Sequence, residues 1–144
     1  MTTESTSDIS RRQALDLAVG AAAIVTLASG ASAAQARRTP PIVLYCDLIV
    51  DPAREQEMLR HFHDTFKPAG AKFKGFIDLK MLKLRKVIQG YPLPTGVNYR
   101  FQLMYESEEL RQIWIASKVH ADLWPGIENT LLDKNFHVSL FDDA

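Results

Sequence analysis

Val97-Asn98-Tyr99-Arg100-Phe101-Gln102-Leu103-Met104-Tyr105-Glu106 sets Val, Tyr, Phe, Leu and Tyr in alternation with Asn, Arg, Gln, Met and Glu. A period of two sends each set to its own face of a strand, and this is the cleanest such run in the chain. Ser107-Glu108-Glu109-Leu110 follows at once. A serine hydroxyl accepts from the open amides of a helix's first turn, and the helix dipole favours acidic residues there. The strand is therefore predicted to pass straight into a helix with Leu110, Ile113, Trp114 and Ser117 on one face.

The flanking segments complete the pattern. Ile42 to Val50 is rich in Val, Ile, Leu and Tyr and reads as a first strand. Asp51-Pro52 then offers a capping carboxylate and a residue suited to the first helical position. Met58, Leu59, Phe62 and Phe66 recur at helical spacing, and the helix is predicted to stop before Pro68, with Gly70 reinforcing the break. Gly75 to Ile88 reads as a long strand. Its apolar phase shifts from Ile77, Leu79 and Met81 to Leu82 and Leu84, so a bulge is expected near Met81. Gly90 to Gly96 holds two prolines and two glycines and forms a connection. Pro125-Gly126 interrupts the second helix, leaving a short helix or turn within Leu123 to Leu132, and Asn135 to Phe141 is a last strand. Strand, helix, strand, strand, helix, strand is the α+β order of a ferredoxin-like βαββαβ sandwich, with helices on one face of an antiparallel four-stranded sheet. Several residues predicted for the other face are apolar, and a second copy of the chain would cover them.

The N-terminus carries a different signal. Ser10-Arg11-Arg12-Gln13-Ala14-Leu15 precedes an uncharged run, Leu17 to Ala36, that closes on Ala31-Ser32-Ala33 and Ala34-Gln35-Ala36. A charged start, an apolar middle and small residues at the end make an export signal. The arginine pair resembles the twin-arginine signal, Ser/Thr-Arg-Arg-x-Phe-Leu, with Ala14 in place of the aromatic residue and Asp16 just beyond. That resemblance implies the twin-arginine export machinery as a partner, folding before export, and a periplasmic or secreted product. The alternative is a retained anchor, for which a run rich in Ala, Gly and Ser supplies little apolar drive. The expected division is residues 1–36 as signal, 37–41 as linker and 42–144 as one domain.

Cleavage after Ala36 leaves 108 of the 144 residues, enough for one core. It removes Arg11 and Arg12 along with Glu4, Asp8 and Asp16, leaving 15 of 17 basic and 14 of 17 acidic residues. A near-neutral domain makes no case for binding nucleic acid. The local basic run Lys80, Lys83, Arg85 and Lys86 reads as a solvated strand edge. Cys46 is the only cysteine, so internal disulfides are excluded, and its apolar neighbours make it a small buried hydrophobe.

Tyr105-Glu106-Ser107-Glu108-Glu109-Leu110 with Trp114-Ile115-Ala116-Ser117 resembles the third-strand-to-helix region of the antibiotic biosynthesis monooxygenase family. Val50-Asp51-Pro52 and Gly75-Phe76 resemble its earlier landmarks. The resemblance spans most of residues 42–141 and implies a dimeric α+β barrel, in which two sheets close on each other and each subunit keeps a pocket between sheet and helices. It also implies oxygenation of a small aromatic or quinol-type substrate with neither metal nor bound cofactor. The substrate itself reduces oxygen once a proton leaves it, so a dry aromatic pocket, a proton acceptor and oxyanion donors suffice. Trp114 falls where heme-degrading members carry a tryptophan. Trp124 stands in place of their heme-ligating histidine, and the Cys46-Asp47 region in place of their first-strand asparagine, so heme degradation is not implied.

His120 is the candidate catalytic proton acceptor, since a neutral imidazole takes a proton near physiological pH. It follows Trp114 by six residues, which on a continuous helix sets the two on rather different faces. Trp114, Tyr45, Tyr99 and Tyr105 are the candidate substrate-binding residues, each weighed against simple core packing. Arg100 is a candidate oxyanion donor, set against a structural ion pair. His61 and His63 stand two apart, do not face each other on a helix, and lack an accompanying ligand set, so no metal site is assigned to them. The alternative to an enzyme is a non-catalytic module that holds a small hydrophobic ligand or supports another exported protein.

Overall fold

The computed structural model describes residues 39–144, and the segment read as an export signal lies outside the described residues. Thr39 to Pro41 carry no regular structure and lead into strand β1 (Ile42–Leu48). Three further strands, β2 (Phe76–Lys83), β3 (Tyr99–Tyr105) and β4 (His137–Asp142), join it in one antiparallel sheet of order β2-β3-β1-β4. Insertion of β3 between β1 and β2 makes the topology ferredoxin-like.

The alternation of β3 is fully expressed. Tyr99, Phe101, Leu103 and Tyr105 are each at most 3% exposed. At about 1.5–3 kcal/mol for each large apolar side chain taken from water, this one strand fixes which face meets the helices. Leu44 and Leu103 oppose each other on that inner face, as do Leu79 and Leu103 across the other edge. Tyr45, Asp47, Leu82 and Arg100 fall on the outer face.

Asp51 caps the first helical segment as expected, its Oδ1 accepting from the Ala53 amide at 2.9 Å. A 3-10 turn (Pro52–Arg54) leads into α1 (Glu55–His61). The predicted stop before Pro68 does not occur. A π turn (Phe62–Phe66) widens the helix, the Lys67 amide donates to the Phe62 carbonyl five residues back, and α2 (Lys67–Gly70) continues through the proline. In a regular helix the proline ring strikes the carbonyl four residues back, and the wider turn relieves that clash. Phe62 and Phe66 are both fully buried.

The second strand also departs from expectation. Its irregularity lies between Phe76 and Asp78, not near Met81, and makes Ile77 the extra residue. Leu79 and Met81 stay in register with Leu103 and Phe101, while Leu82 opposes Arg100. The shift in apolar phase is thus a transfer of apolar side chains to the outer face with no slip in pairing. Pairing ends near Leu84, whose amide donates to the Asn98 carbonyl at 2.8 Å, and residues 85–97 leave the sheet. The Asn98 side chain bonds both the amide and the carbonyl of Val50 at 2.8 Å, standing in for a strand partner where β1 ends.

Ser107 caps α3 (Glu108–Ala116), accepting from the Leu110 amide at 3.3 Å. Two shorter helices follow, α4 (Lys118–Leu123) and α5 (Pro125–Glu128). Gly75 ties α3 to the sheet. It has φ +89°, its carbonyl accepts from the Glu106 amide at 2.8 Å, and a Cβ on it would sit 2.6 Å from Leu110 Cδ1 and 2.9 Å from Leu110 Cβ. Gly75→Ala is expected to lower unfolding free energy by about 2–4 kcal/mol, combining positive-φ strain with overpacking. Urea denaturation measures this, and a loss under about 1 kcal/mol would contradict the packing described.

Candidate functional site

Ser117 decides the geometry of the site. Its backbone leaves the helical region (φ −72°, ψ 150°) and ends α3. Its Oγ donates to the Trp114 carbonyl at 2.6 Å and accepts from the His120 amide at 3.1 Å, closing one helix and capping the next. The chain therefore turns between Trp114 and His120 instead of running straight. Their rings meet edge-on at 5.1 Å, although a continuous helix would have kept them apart. His120 also stacks on Trp124, with ring centres 5.9 Å apart and planes within 9° of parallel, and it packs 6.0 Å from Phe66.

These rings border a cavity of about 160 Å³ between the sheet and the helices. Leu44, Cys46, Phe101 and Leu103 form its floor, and Val138 lines it from the edge strand β4. Trp114, His120, Trp124 and Arg111 supply the helical side. Burial, assisted by the Arg111 charge, holds the His120 pKa below its ordinary value. The imidazole is therefore neutral at neutral pH, and its ring nitrogens make no hydrogen bond to any described residue. It is chemically free to accept a proton. Burial raises the Cys46 thiol to about 12, so it lines the floor as an inert thiol.

The structure brings two of the five sequence-selected residues, Trp114 and His120, to this cavity. Tyr45 lies on the outer face, edge-on to Phe141 at 5.5 Å and beneath the Arg100 guanidinium at 5.1 Å. Tyr99 is on the inner face, but its hydroxyl donates to Glu55 at 2.6 Å, and burial with that bond raises its pKa. Tyr105 is fully buried against Phe76, and its hydroxyl has no partner among the described residues. None of the three tyrosines lines the His120 cavity. Arg100 pairs with Asp47 at 2.7 and 3.0 Å, on the outer face. His61 Nε2 donates to the Leu123 carbonyl at 2.7 Å, tying α1 to α4.

Arg111 and Trp124 were not selected from the sequence. Glu108 and Arg111 at i, i+3 were a readable pair, but nothing in their spacing showed that the pair borders a cavity. Trp124 was weighed only as a replaced ligand. A larger cavity, about 410 Å³, opens on the outer face beside residues 84–97, where Asp47 and Arg100 line it. Those two charges already satisfy each other, so the smaller cavity, with its unpartnered imidazole, is the better chemical candidate. Among the described residues no group of three or more His, Cys, Asp or Glu is placed to hold a metal ion.

No family model and no curated protein matches this chain. Solved structures share its fold. A Caulobacter crescentus protein assigned as an antibiotic biosynthesis monooxygenase superposes with TM-score 0.60 at 14% identity, covering 74% of this chain and 92% of its own. A dimeric ferredoxin-like protein of unknown function from Jannaschia superposes with TM-score 0.59 at 8% identity, covering 71% and 98%. SnoaB, a cofactor-independent oxygenase from Streptomyces nogalater, gives TM-score 0.51 at 14% identity, covering 72% and 91%. At these identities the likeness is one of fold.

A lowered His120 pKa has a definite sign in stability. Below the unfolded value of about 6.5, the unfolded chain binds a proton that the folded chain resists. Stability is therefore expected to fall as pH drops through about 6.5, until the folded-state pKa is passed. His120→Gln should flatten that part of the profile of unfolding free energy against pH, and an unchanged slope would place the imidazole in water.

Proposed function

We propose that this chain is an exported, dimeric, oxygenase-like enzyme that acts on a small aromatic or quinol-type substrate without a bound cofactor. The carrying observation is the neutral, unpartnered His120 imidazole set between two tryptophans at the wall of a mostly apolar cavity. The substrate ring enters beside Trp114 and is clamped between it and Trp124. His120 accepts a proton from an activated ring CH₂ or its phenol tautomer. The resulting anion reduces dioxygen, a C–O bond forms, and reprotonation gives a hydroperoxide. Loss of water leaves a carbonyl, so one CH₂ and one O₂ become C=O and H₂O. An apolar site favours this route because proton removal, not solvent, controls when electrons reach oxygen.

A dimer follows from the same reading. Val43, Met104 and Leu82 give the outer face an apolar component, and Phe141 on the edge strand is 53% exposed. A second sheet laid on that face closes the barrel.

The test is oxygen uptake by the mature chain recovered as a dimer from the exported fraction, assayed with a panel of quinols and anthrone-type compounds. His120→Ala should cut turnover by about 10²–10⁴-fold, the usual contribution of a general base, and leave the dimer intact. Undiminished turnover removes His120 from the chemistry. Ligand-induced thermal stabilisation with no oxygen consumed across the panel would favour the non-catalytic binding module. A stably monomeric mature chain would contradict the barrel.

A further inference from the structure

The wall of the His120 cavity holds one permanent charge, Arg111, and its surroundings are lopsided. The Arg111 side chain is 13% exposed, whereas its partner Glu108 is 36% exposed. Glu108 takes the Nε and Nη2 groups of Arg111, each at 2.6 Å, and also accepts from Gln112 Nε2 at 2.7 Å. The remaining guanidinium nitrogen, Nη1, has no hydrogen-bond partner among the described residues. A surface Arg–Glu pair at i, i+3 adds little stability and has no need to be drawn against an apolar floor. Among the described residues only the Tyr105 hydroxyl is both sealed from solvent and unpartnered, so Nη1 is an open donor, and an anionic oxygen in the cavity would meet it with a charge-assisted hydrogen bond.

We propose that Arg111 makes this cavity selective for a one-ring aromatic compound bearing a single anionic oxygen, with Nη1 donating to that oxygen. The inference rests on the reading of this cavity as the ligand site. Its volume of about 160 Å³ sets the size, since a dry cavity of about 150 Å³ holds a benzene ring. Trp114 and Trp124 supply the aromatic walls, and Arg111 fixes which edge of the ring carries the charge. The anionic oxygen is either a carboxylate substituent or an ionised phenol. Both present the same acceptor to Nη1, so Arg111 is a binding and specificity residue for either.

Both tryptophans of the chain line the cavity, so tryptophan fluorescence reports occupancy directly. The mature wild-type protein is titrated with benzoate, with its neutral amide benzamide, and with para-nitrophenolate at a pH where that phenol is ionised. Either anion should bind about tenfold or more tightly than benzamide, the effect of one charge-assisted hydrogen bond. Tighter benzoate binding identifies the carboxylate form, and tighter nitrophenolate binding the phenolate form.

Arg111→Met should lower anion affinity to the benzamide level and leave benzamide binding unchanged. Glu108→Gln, which keeps Gln112 a neighbour but removes the competing carboxylate, should strengthen anion binding without affecting benzamide. That second variant keeps the test open should the methionine protein fail to fold, because a purely structural pair gives no reason for a gain. Equal wild-type affinity for anion and amide overturns the Arg111 inference and leaves the cavity reading standing. Anion preference that survives Arg111→Met overturns it as well. No binding of any probe overturns the cavity reading and this inference together.

Discussion

The ring of Phe66 is where the layers of this protein meet. It lies 5.9 Å from Phe101 on the sheet, 5.6 Å from Trp114 on α3, 6.0 Å from His120 on α4 and 6.0 Å from Trp124 at the turn into α5. Edge-to-face and tilted aromatic contacts at these separations add to a large burial of apolar area. Sheet and helices are thereby held at one spacing. Phe62 and Phe66 stand four residues apart, so both point inward, and the π turn between them carries the helix on through Pro68. A regular helix ending before Pro68 would lack the further turn, Lys67–Gly70, that follows it. The cavity beside His120 is the space these rings leave where the edge strand β4 is not covered.

The sheet's two faces solve different problems. On the inner face, aromatic burial makes a dry environment in which an imidazole stays neutral and a thiol stays protonated. On the outer face, Asp47 is 8% exposed and tolerates that burial because Arg100, directly across the ladder, meets both of its oxygens. Tyr45 lies against the same guanidinium. The two hydrogen bonds of the Ser117 hydroxyl turn the chain so that Trp114 and His120 meet.

The βαββαβ order was legible because its main signals are local. Alternation in β3, the caps at Asp51 and Ser107 and the loop around Gly90 to Gly96 each depend on neighbouring residues only. Features decided at a distance were not legible. Pro68 reads as a stop unless the π turn that relieves its clash is known. The Leu82–Leu84 phase shift looks like a bulge if only one sheet face is taken to be apolar, whereas the real irregularity sits at Ile77, close to Gly75. His120 and Trp114 both line the smaller cavity, yet reading a straight helix hid their contact. The sequence signal for the contact was Ser117 itself, a cap three residues before His120. Tyr45, Tyr99 and Tyr105 drew attention as hydroxyl donors, but strand alternation alone cannot tell an open cavity from a filled core.

The central physical claim is that a neutral imidazole stands at the wall of a ligand-accepting aromatic cavity. Nitrogen-15 NMR of histidine-labelled protein, titrated over pH and then with hydroquinone, tests it most directly. The account predicts that the His120 ring titrates below the ordinary histidine value of about 6.5, and that hydroquinone shifts its ring nitrogens. A His120 ring that titrates at or above about 6.5 and ignores the ligand would contradict it.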